Sequence, residues 1–144
     1  MHVCADCGAT YGEEGADCAA RFAALLALDH SRREPWGSRH GLAFSAYVLQ
    51  HPTRHVRPVL ERAWLMLYAV FVTGSDPSDV ARALRRSGKV TPNWGTPPLP
   101  AVGPCGAFTV TIADLGAFQE ASYPALLDQW CRAALAGWRT RPAT

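Results

Sequence analysis

The stretch Ala63–Val72, which reads AWLMLYAVFV, decides the fold of this chain. When it is wound into an α-helix it is apolar on every side, as expected of a helix buried at the centre of a domain. A helix that spans a membrane needs about 20 apolar residues, and this stretch has ten. The sequence therefore predicts a central buried helix that begins near Pro58 and ends at Gly74. It does not predict a membrane-spanning helix.

Helix signals recur on both sides of this central segment. Asp17 has the residue type of an N-cap, and Pro52 ends a helix because the residue before a proline avoids helical geometry. Another helix has Asp76 or Ser75 as its expected cap, Pro77 in its first turn and Gly88 as its stop signal. The predicted helices cover residues 18–29, 41–50, 58–74, 75–88 and 123–138.

Two segments carry no helical pattern. Residues 1–17 form a loop that contains glycines and cysteines, and residues 91–107 contain five prolines and three glycines, which predicts a long extended loop. The alternation in Phe108–Ile112 is typical of a strand, although no second strand is evident to pair with it. We therefore predict a mainly α protein, a compact bundle of about five helices with an N-terminal zinc-knuckle loop, in a single metal-binding domain over residues 1–144.

The overall composition is that of an ordinary globular protein. Of the 144 residues, 49% are hydrophobic and 18% are charged, and the net charge of +2 is too small to require a nucleic acid or a membrane as partner. The N-terminus, Met1–Cys4, has neither a basic start nor an apolar run, so it lacks the features of a secretory signal. We expect a cytoplasmic protein, in which cysteines serve as ligands, catalysts or core residues more often than as disulfides.

Cys4, Cys7 and Gly8 form a Cys-x-x-Cys-Gly turn near the N-terminus. Two thiolates three residues apart can face one metal ion across a tight turn. The glycine after the second cysteine allows a positive φ, so that backbone N–H groups can point at the sulfurs and stabilise their charge. Zinc binding is the favoured interpretation. The alternatives are a redox dithiol, which would need a flanking strand and helix that the pattern does not indicate, and cysteines with no chemical role.

Two thiolates rarely suffice to bind zinc, so further ligands must come from other elements. Cys18, eleven residues after Cys7, is the nearest candidate, and the dipole of the helix that it begins would favour its thiolate. His40, just before the second helix, is the next candidate, and a set of Cys4, Cys7, Cys18 and His40 would be a closed structural site. His51 competes for the fourth position. The two histidines lie about 16 Å apart along an ideal helix, so both cannot bind one ion.

Each of these residues also has a purely structural interpretation. Cys18 could be a small buried apolar residue, and His40 a helix-capping or buried, hydrogen-bonded histidine. His51 could cap the C-terminus of its helix, where a cation is favoured. Cys131 lies inside the last predicted helix and Cys105 stands alone, so neither is predicted to be a ligand.

These motifs resemble those of an uncharacterised bacterial family of small proteins of unknown function. Members of that family begin with a CxxCGA knuckle and carry a histidine followed by a Tyr-x-Leu-Gln-His-Pro segment. The corresponding segments here are Cys4–Ala9 and His40–Pro52, so the resemblance covers roughly the first 52 residues. It implies site positions and no established activity. The residues that match its pattern are Cys4, Cys7, Cys18, His40, Tyr47, Gln50 and His51.

Three functions fit the sequence. The first is a small cytoplasmic zinc-binding protein of unknown activity, whose metal staples the N-terminal loop to the helical core and which acts on an unknown protein or small-molecule partner. The second is a zinc-dependent enzyme with an open site, in which water completes the coordination and Tyr47 and His51 are the acid/base candidates. The third is a nucleic-acid or regulatory binding protein that uses the basic residues within 82–89. The weak net charge makes nucleic acid the least favoured partner.

Overall fold

The computed structural model of the protein describes residues 1–103 and 108–141. This part of the chain contains a two-stranded antiparallel sheet and five α-helices, which confirms the mainly α fold. The strands are β1 (His2–Val3) and β2 (Thr10–Tyr11). The helices are α1 (Cys18–His30), α2 (His40–Gln50), α3 (Arg57–Phe71), α4 (Pro77–Arg86) and α5 (Tyr123–Arg139). Short 3-10 turns lie at Gly37–Arg39, Pro52–Arg54 and Ile112–Leu115.

The centre of the molecule is formed by α2, α3 and α5. The predicted central segment lies in α3, where residues 63–67 are all buried. Trp138 of α5 donates a hydrogen bond from Nε1 to the Leu49 carbonyl of α2 at 2.6 Å, and Trp130 donates to Gln50 Oε1 at 2.8 Å. Each of these bonds pairs a ring N–H that burial would otherwise leave unsatisfied.

Helix length decides whether the central apolar segment could cross a membrane. Helix α3 has 15 residues, fewer than the roughly 20 that a bilayer requires. Within residues 1–103 and 108–141, no helix combines the length and the apolarity needed to cross a bilayer.

Helices α1 and α2 run antiparallel, so the C-terminus of α1 meets the N-terminus of α2. At that end His40 Nδ1 lies 2.9 Å from Asp29 Oδ2. Further along the pair, Phe22 of α1 stacks on Tyr47 of α2 with ring centroids 4.0 Å apart. The opposite end of the pair brings the start of α1 next to the end of α2.

The predicted caps and breakers set the helix boundaries. Asp17 caps α1, since its Oδ1 accepts a hydrogen bond from the Ala20 N–H at 2.7 Å. Asp76 caps α4 in the same way, accepting from the Ser78 N–H at 2.8 Å. The predicted and observed boundaries differ most at the end of α3, which stops at Phe71 rather than at Gly74.

Outside the helices, the strand prediction for Phe108–Ile112 is wrong. Residues 108–111 are irregular, and Ile112 begins a 3-10 turn. The Val110 carbonyl accepts a hydrogen bond from Gln50 Nε2 at 2.8 Å, so a helix side chain takes the place of a neighbouring strand. In the predicted loop, residues 91–103 contain no helix, and the Pro97 carbonyl accepts from Trp64 Nε1 at 2.8 Å. The rest of that loop, 104–107, lies outside the described residues.

Candidate metal centre

Three cysteines and one histidine come together where the N-terminal hairpin meets the α1–α2 pair. One ligand atom from each of Cys4, Cys7, Cys18 and His51 lies within 4.8 Å of all the others. All four residues are buried, and Cys7 and His51 are 0% exposed. The structure therefore brings the three predicted cysteines together with His51, the competing histidine of the sequence analysis.

The hairpin of β1 and β2 presents Cys4 and Cys7. The Cys4 N–H donates to the Ala9 carbonyl at 2.8 Å, and the Gly8 N–H donates to the Cys4 carbonyl at 2.9 Å. Gly8 has a φ of +84°, which is unfavourable for a residue with a Cβ. This turn directs the Ala9 N–H at Cys7 Sγ, 3.4 Å away, as the sequence predicted for a glycine after the second cysteine.

Cys18 is the first residue of α1, directly after the N-cap Asp17. The positive end of the helix dipole stabilises a thiolate at this position. Its Sγ lies 3.6 Å from Cys7 Sγ and 3.0 Å from the Tyr11 hydroxyl. Sequence patterns did not indicate Tyr11, because it is the register of two very short strands that brings this side chain to the cluster.

His51 directly follows α2, which ends before Pro52. Its ring turns back along the helix, and Nδ1 lies 2.7 Å from the Tyr47 carbonyl. A carbonyl only accepts hydrogen bonds, so Nδ1 carries the proton and Nε2 offers a lone pair. Nε2 is buried and has no hydrogen-bond partner among residues 1–103 and 108–141. The imidazole thus caps its helix with one nitrogen and leaves the other for the cysteines, two roles that the sequence presented as alternatives.

His40, which the sequence favoured as the fourth ligand, does not lie in this group. It begins α2 and pairs with Asp29 near the C-terminus of α1, whereas Cys18 begins α1. Asp29 and Cys18 are eleven residues apart on one helix, a rise of about 16 Å. The antiparallel arrangement of α1 and α2 therefore assigns His51 to the cysteine end and His40 to the other end. His40 instead makes a hydrogen bond to Asp29, the structural role that the sequence offered as the alternative to metal binding.

The pKa values of the Cys7 and Cys18 thiols are shifted in opposite directions. The hydrogen bond between Cys7 and Cys18, together with burial, raises the pKa of the Cys7 thiol. The same hydrogen bond lowers the pKa of Cys18, and His51 and Tyr11 lower it further against the opposing effect of burial. Cys18 is therefore the first of the two to become a thiolate, the form that binds metals.

Comparison with known proteins places the chain in a family. The model of DUF5946, described as a family of unknown function, matches residues 2–139. The chain belongs to the DUF5946 family. No curated protein and no solved structure matches it. The DUF5946 match extends well beyond the first 52 residues that carry the sequence resemblance, and it brings no named activity.

In this DUF5946 protein Tyr47, a catalytic candidate, packs between two rings. Its ring stacks on Phe22 with centroids 4.0 Å apart and on His51 with centroids 4.1 Å apart. Its hydroxyl accepts a hydrogen bond from Arg54 Nη1 at 3.2 Å. Burial raises the pKa of Tyr47 despite the opposing effect of Arg54. These contacts favour a side chain that shields the cluster over one that transfers protons at neutral pH.

Asp6, inside the Cys-x-x-Cys turn, links the N-terminal hairpin to the segment after α2. Its Oδ2 accepts a hydrogen bond from Thr53 Oγ1 at 2.7 Å and lies 3.7 Å from Arg54 Nε. Thr53 and Arg54 belong to the short 3-10 turn that directly follows His51. This turn therefore holds the Cys-x-x-Cys turn in place through Asp6. No sequence pattern indicates a role for Asp6, because a single carboxylate in a loop does not show which residue it will contact.

Two further cysteines remain, Cys131 and Cys105, and the structure describes only Cys131. Cys131 is buried in α5, its Sγ lies 3.6 Å from the Leu42 carbonyl, and burial raises the pKa of its thiol. It is absent from the metal-binding group of the described residues, in agreement with its predicted core role. Cys105 lies outside the described residues.

Proposed function

We propose that Cys4, Cys7, Cys18 and His51 bind one zinc ion, and that this ion fastens the N-terminal hairpin to α1 and α2. The observation that carries the proposal is the convergence of four buried donor atoms within 4.8 Å of one another. Three thiolates and one imidazole are a common donor set of structural zinc sites.

The spacing of the donors fits a tetrahedral ion. Zinc–sulfur bonds of about 2.3 Å at tetrahedral angles place two sulfurs about 3.8 Å apart. Cys7 Sγ and Cys18 Sγ are separated by 3.6 Å. Small shifts of the other two side chains suffice to complete the coordination, since no pair of donors exceeds 4.8 Å.

The environment of His51 also supports metal binding. A zinc-bound histidine usually donates its second N–H to a carbonyl or a carboxylate, which fixes the tautomer and the ring orientation. The Nδ1 contact with the Tyr47 carbonyl at 2.7 Å supplies this bond. A metal on Nε2 would satisfy a buried nitrogen that otherwise has no hydrogen-bond partner among the described residues.

The four donors favour a structural role for the metal over a catalytic one. An enzymatic zinc site keeps one position for water, whereas four protein ligands fill the tetrahedron. His51 would be a ligand, and it would then be unable to act as an acid or a base. Zinc-dependent catalysis with Tyr47 and His51 is therefore the less favoured function, and a closed metal staple is the one that the geometry supports best.

The proposal predicts that Cys7→Ser lowers both the zinc content and the melting temperature, because it removes a ligand and leaves the other thiolates crowded. Zinc per chain, measured by inductively coupled plasma mass spectrometry after dialysis, should fall from one to well below one. Structural zinc sites contribute about 10 kcal/mol or more of apparent binding free energy, so the loss of stability should be large.

Cys131→Ser is the matched control. Cys131 is equally buried but lies in α5, outside the group of donors. This variant should keep one zinc per chain, even if it unfolds at a slightly lower temperature. Stoichiometric zinc in Cys7→Ser, or an equal loss of zinc in both variants, would contradict the proposal.

A further inference from the structure

A second group of polar side chains lines a cavity beside the start of α2, away from the metal centre. The cavity has a volume of about 390 Å³ and lies between α2 and α4. Its polar lining consists of Ser38, His40, Ser78, Arg82 and Arg85. Two arginines and one histidine line this space, and none of the described residues that line it is acidic.

A buried carboxylate fixes the His40 ring at this cavity. The Asp29 side chain is 0% exposed, and its Oδ2 lies 2.9 Å from His40 Nδ1. Because Nδ1 is engaged with Asp29, Nε2 is the nitrogen that remains for a ligand. The bond to Asp29 raises the pKa of His40 against the opposing effect of burial, which favours the imidazolium. With 42% of its side chain exposed, His40 is open to small molecules.

Arg82 and Arg85 bring further positive charge from α4. Arg82 Nη1 lies 3.2 Å from Asp79 Oδ1 at the exposed surface, so part of its charge is balanced. Arg85 has no carboxylate within ion-pair distance among residues 1–103 and 108–141. An exposed guanidinium with no carboxylate partner attracts an oxyanion and can bind it with two parallel hydrogen bonds.

An apolar cavity of about 280 Å³ adjoins this charged one. The two cavities share Gly41, Met66, Ala81 and Arg85, so they form one groove with a charged end and an apolar end. Apolar side chains dominate the second end: Phe44, Val59, Ala63, Met66 and Leu84. Ser45 and Arg62 also line it, and the Arg62 guanidinium donates a hydrogen bond to the Leu84 carbonyl.

We infer that this groove binds a small phosphate monoester with an apolar body, the phosphate at His40, Arg82 and Arg85 and the body against Phe44 and Met66. A phosphate monoester carries between one and two negative charges near neutral pH and presents three acceptor oxygens, enough to reach both arginines and His40. A carboxylate has two oxygens and one charge, so it would use fewer of them. The site lies at the opposite end of α2 from His51 and does not depend on the metal.

The experiment titrates the purified, metal-loaded full chain with hexyl phosphate, butyl phosphate and inorganic phosphate by isothermal titration calorimetry. Saturable binding of one alkyl phosphate per chain is expected. Each added methylene should tighten Kd by about fourfold until the apolar end is filled, since burying one CH₂ contributes about 0.8 kcal/mol. Hexanoate and hexanol, which lack the phosphate, should bind more weakly than hexyl phosphate.

Arg85→Met and Arg86→Met form the matched pair of variants. Both residues are exposed neighbours in α4, but only Arg85 lines the groove. Arg85→Met should weaken hexyl phosphate binding by about tenfold or more, the effect of one charge-assisted hydrogen bond, and Arg86→Met should change it by less than about twofold. Equal weakening by both variants, the absence of saturable binding at millimolar hexyl phosphate, or hexanoate that binds as tightly would each overturn the inference.

Discussion

At the scale of the residue, the two histidines of α2 have different partners because they lie at opposite ends of one helix. His51 Nδ1 contacts the Tyr47 carbonyl and its Nε2 faces the cysteine cluster, whereas His40 Nδ1 contacts Asp29. Both rings are oriented by a single acceptor that fixes which nitrogen carries the proton. The difference in function that we propose rests on which groups the second nitrogen can reach.

His51→Ala should therefore release zinc, and His40→Ala should retain it. The first variant leaves three thiolates without a fourth protein ligand, which weakens the metal site. The measurement is a competition with a chromophoric zinc chelator, which gives the apparent zinc affinity of each variant. We expect a loss of about 100-fold or more for His51→Ala and a change within experimental error for His40→Ala. The reverse order would identify His40 as the ligand.

The pair of His40 and Asp29 should make stability depend on pH. The hydrogen bond to Asp29 raises the pKa of His40 in the folded protein above the value of about 6.5 in an unfolded chain. The stabilisation is then fully present below about pH 6.5 and disappears as the pH rises through the folded-state pKa. It should amount to less than about 1 kcal/mol, because His40 is partly exposed and the charge is screened.

Urea unfolding of the native chain and of His40→Gln, followed from about pH 5.5 to pH 9, tests this dependence. The difference in the free energy of unfolding between the two should shrink as the pH rises. Any effect of pH on the metal centre is common to both chains and cancels in the difference. The control is His2→Gln, which removes an exposed imidazole from β1, leaves the pair intact and should behave like the native chain. A difference that grows with pH would contradict the argument.

At the scale of the element, the N-terminal hairpin has little to stabilise it by itself. Its strands have two residues each, and an isolated two-stranded hairpin is marginal in water. The contacts that tie it to the body are concentrated at the four candidate ligands, at Asp6 and at the Phe108 N–H, which donates to the Cys7 carbonyl at 3.2 Å. The hairpin should therefore be the element that depends most on the metal.

Hydrogen exchange with and without a zinc chelator measures that dependence. The amides of Cys4 and Gly8 are hydrogen-bonded within the hairpin, and their exchange should accelerate by at least about tenfold when zinc is removed. The amides in the middle of α3 and α5 should keep their protection, because these helices pack around the buried tryptophans Trp130 and Trp138. Uniform acceleration across the chain would mean that the metal supports the whole fold rather than the hairpin.

At the same scale, local signals predicted most of the helix boundaries, because capping and helix-breaking residues mark them. Asp17 and Asp76 cap α1 and α4 as their residue types indicate, and Pro52 stops α2. The failure at Phe108–Ile112 has a physical reason. An alternating pattern needs a partner for its backbone, and here the Gln50 side chain supplies the hydrogen bond to Val110.

At the scale of the whole molecule, the choice of the fourth ligand could not be made from the sequence. Cys4, Cys7 and Cys18 were within reach of local reasoning, because a tight turn and a helix N-terminus explain them. The choice between His40 and His51 depends on the direction in which α2 packs against α1. That direction is set by contacts between distant residues, such as the stacking of Phe22 on Tyr47 and the hydrogen bond of Trp130 to Gln50.

The measurement that tests the central claim most directly is X-ray absorption spectroscopy at the zinc edge of the purified native protein. With four protein ligands, the spectrum should fit three sulfur atoms at about 2.3 Å and one nitrogen at about 2.0 Å, with outer-shell scattering from an imidazole. The zinc content of the same sample should be one per chain. A first shell that contains a water oxygen in place of a cysteine or the histidine, or the absence of stoichiometric zinc, would contradict a closed site of Cys4, Cys7, Cys18 and His51.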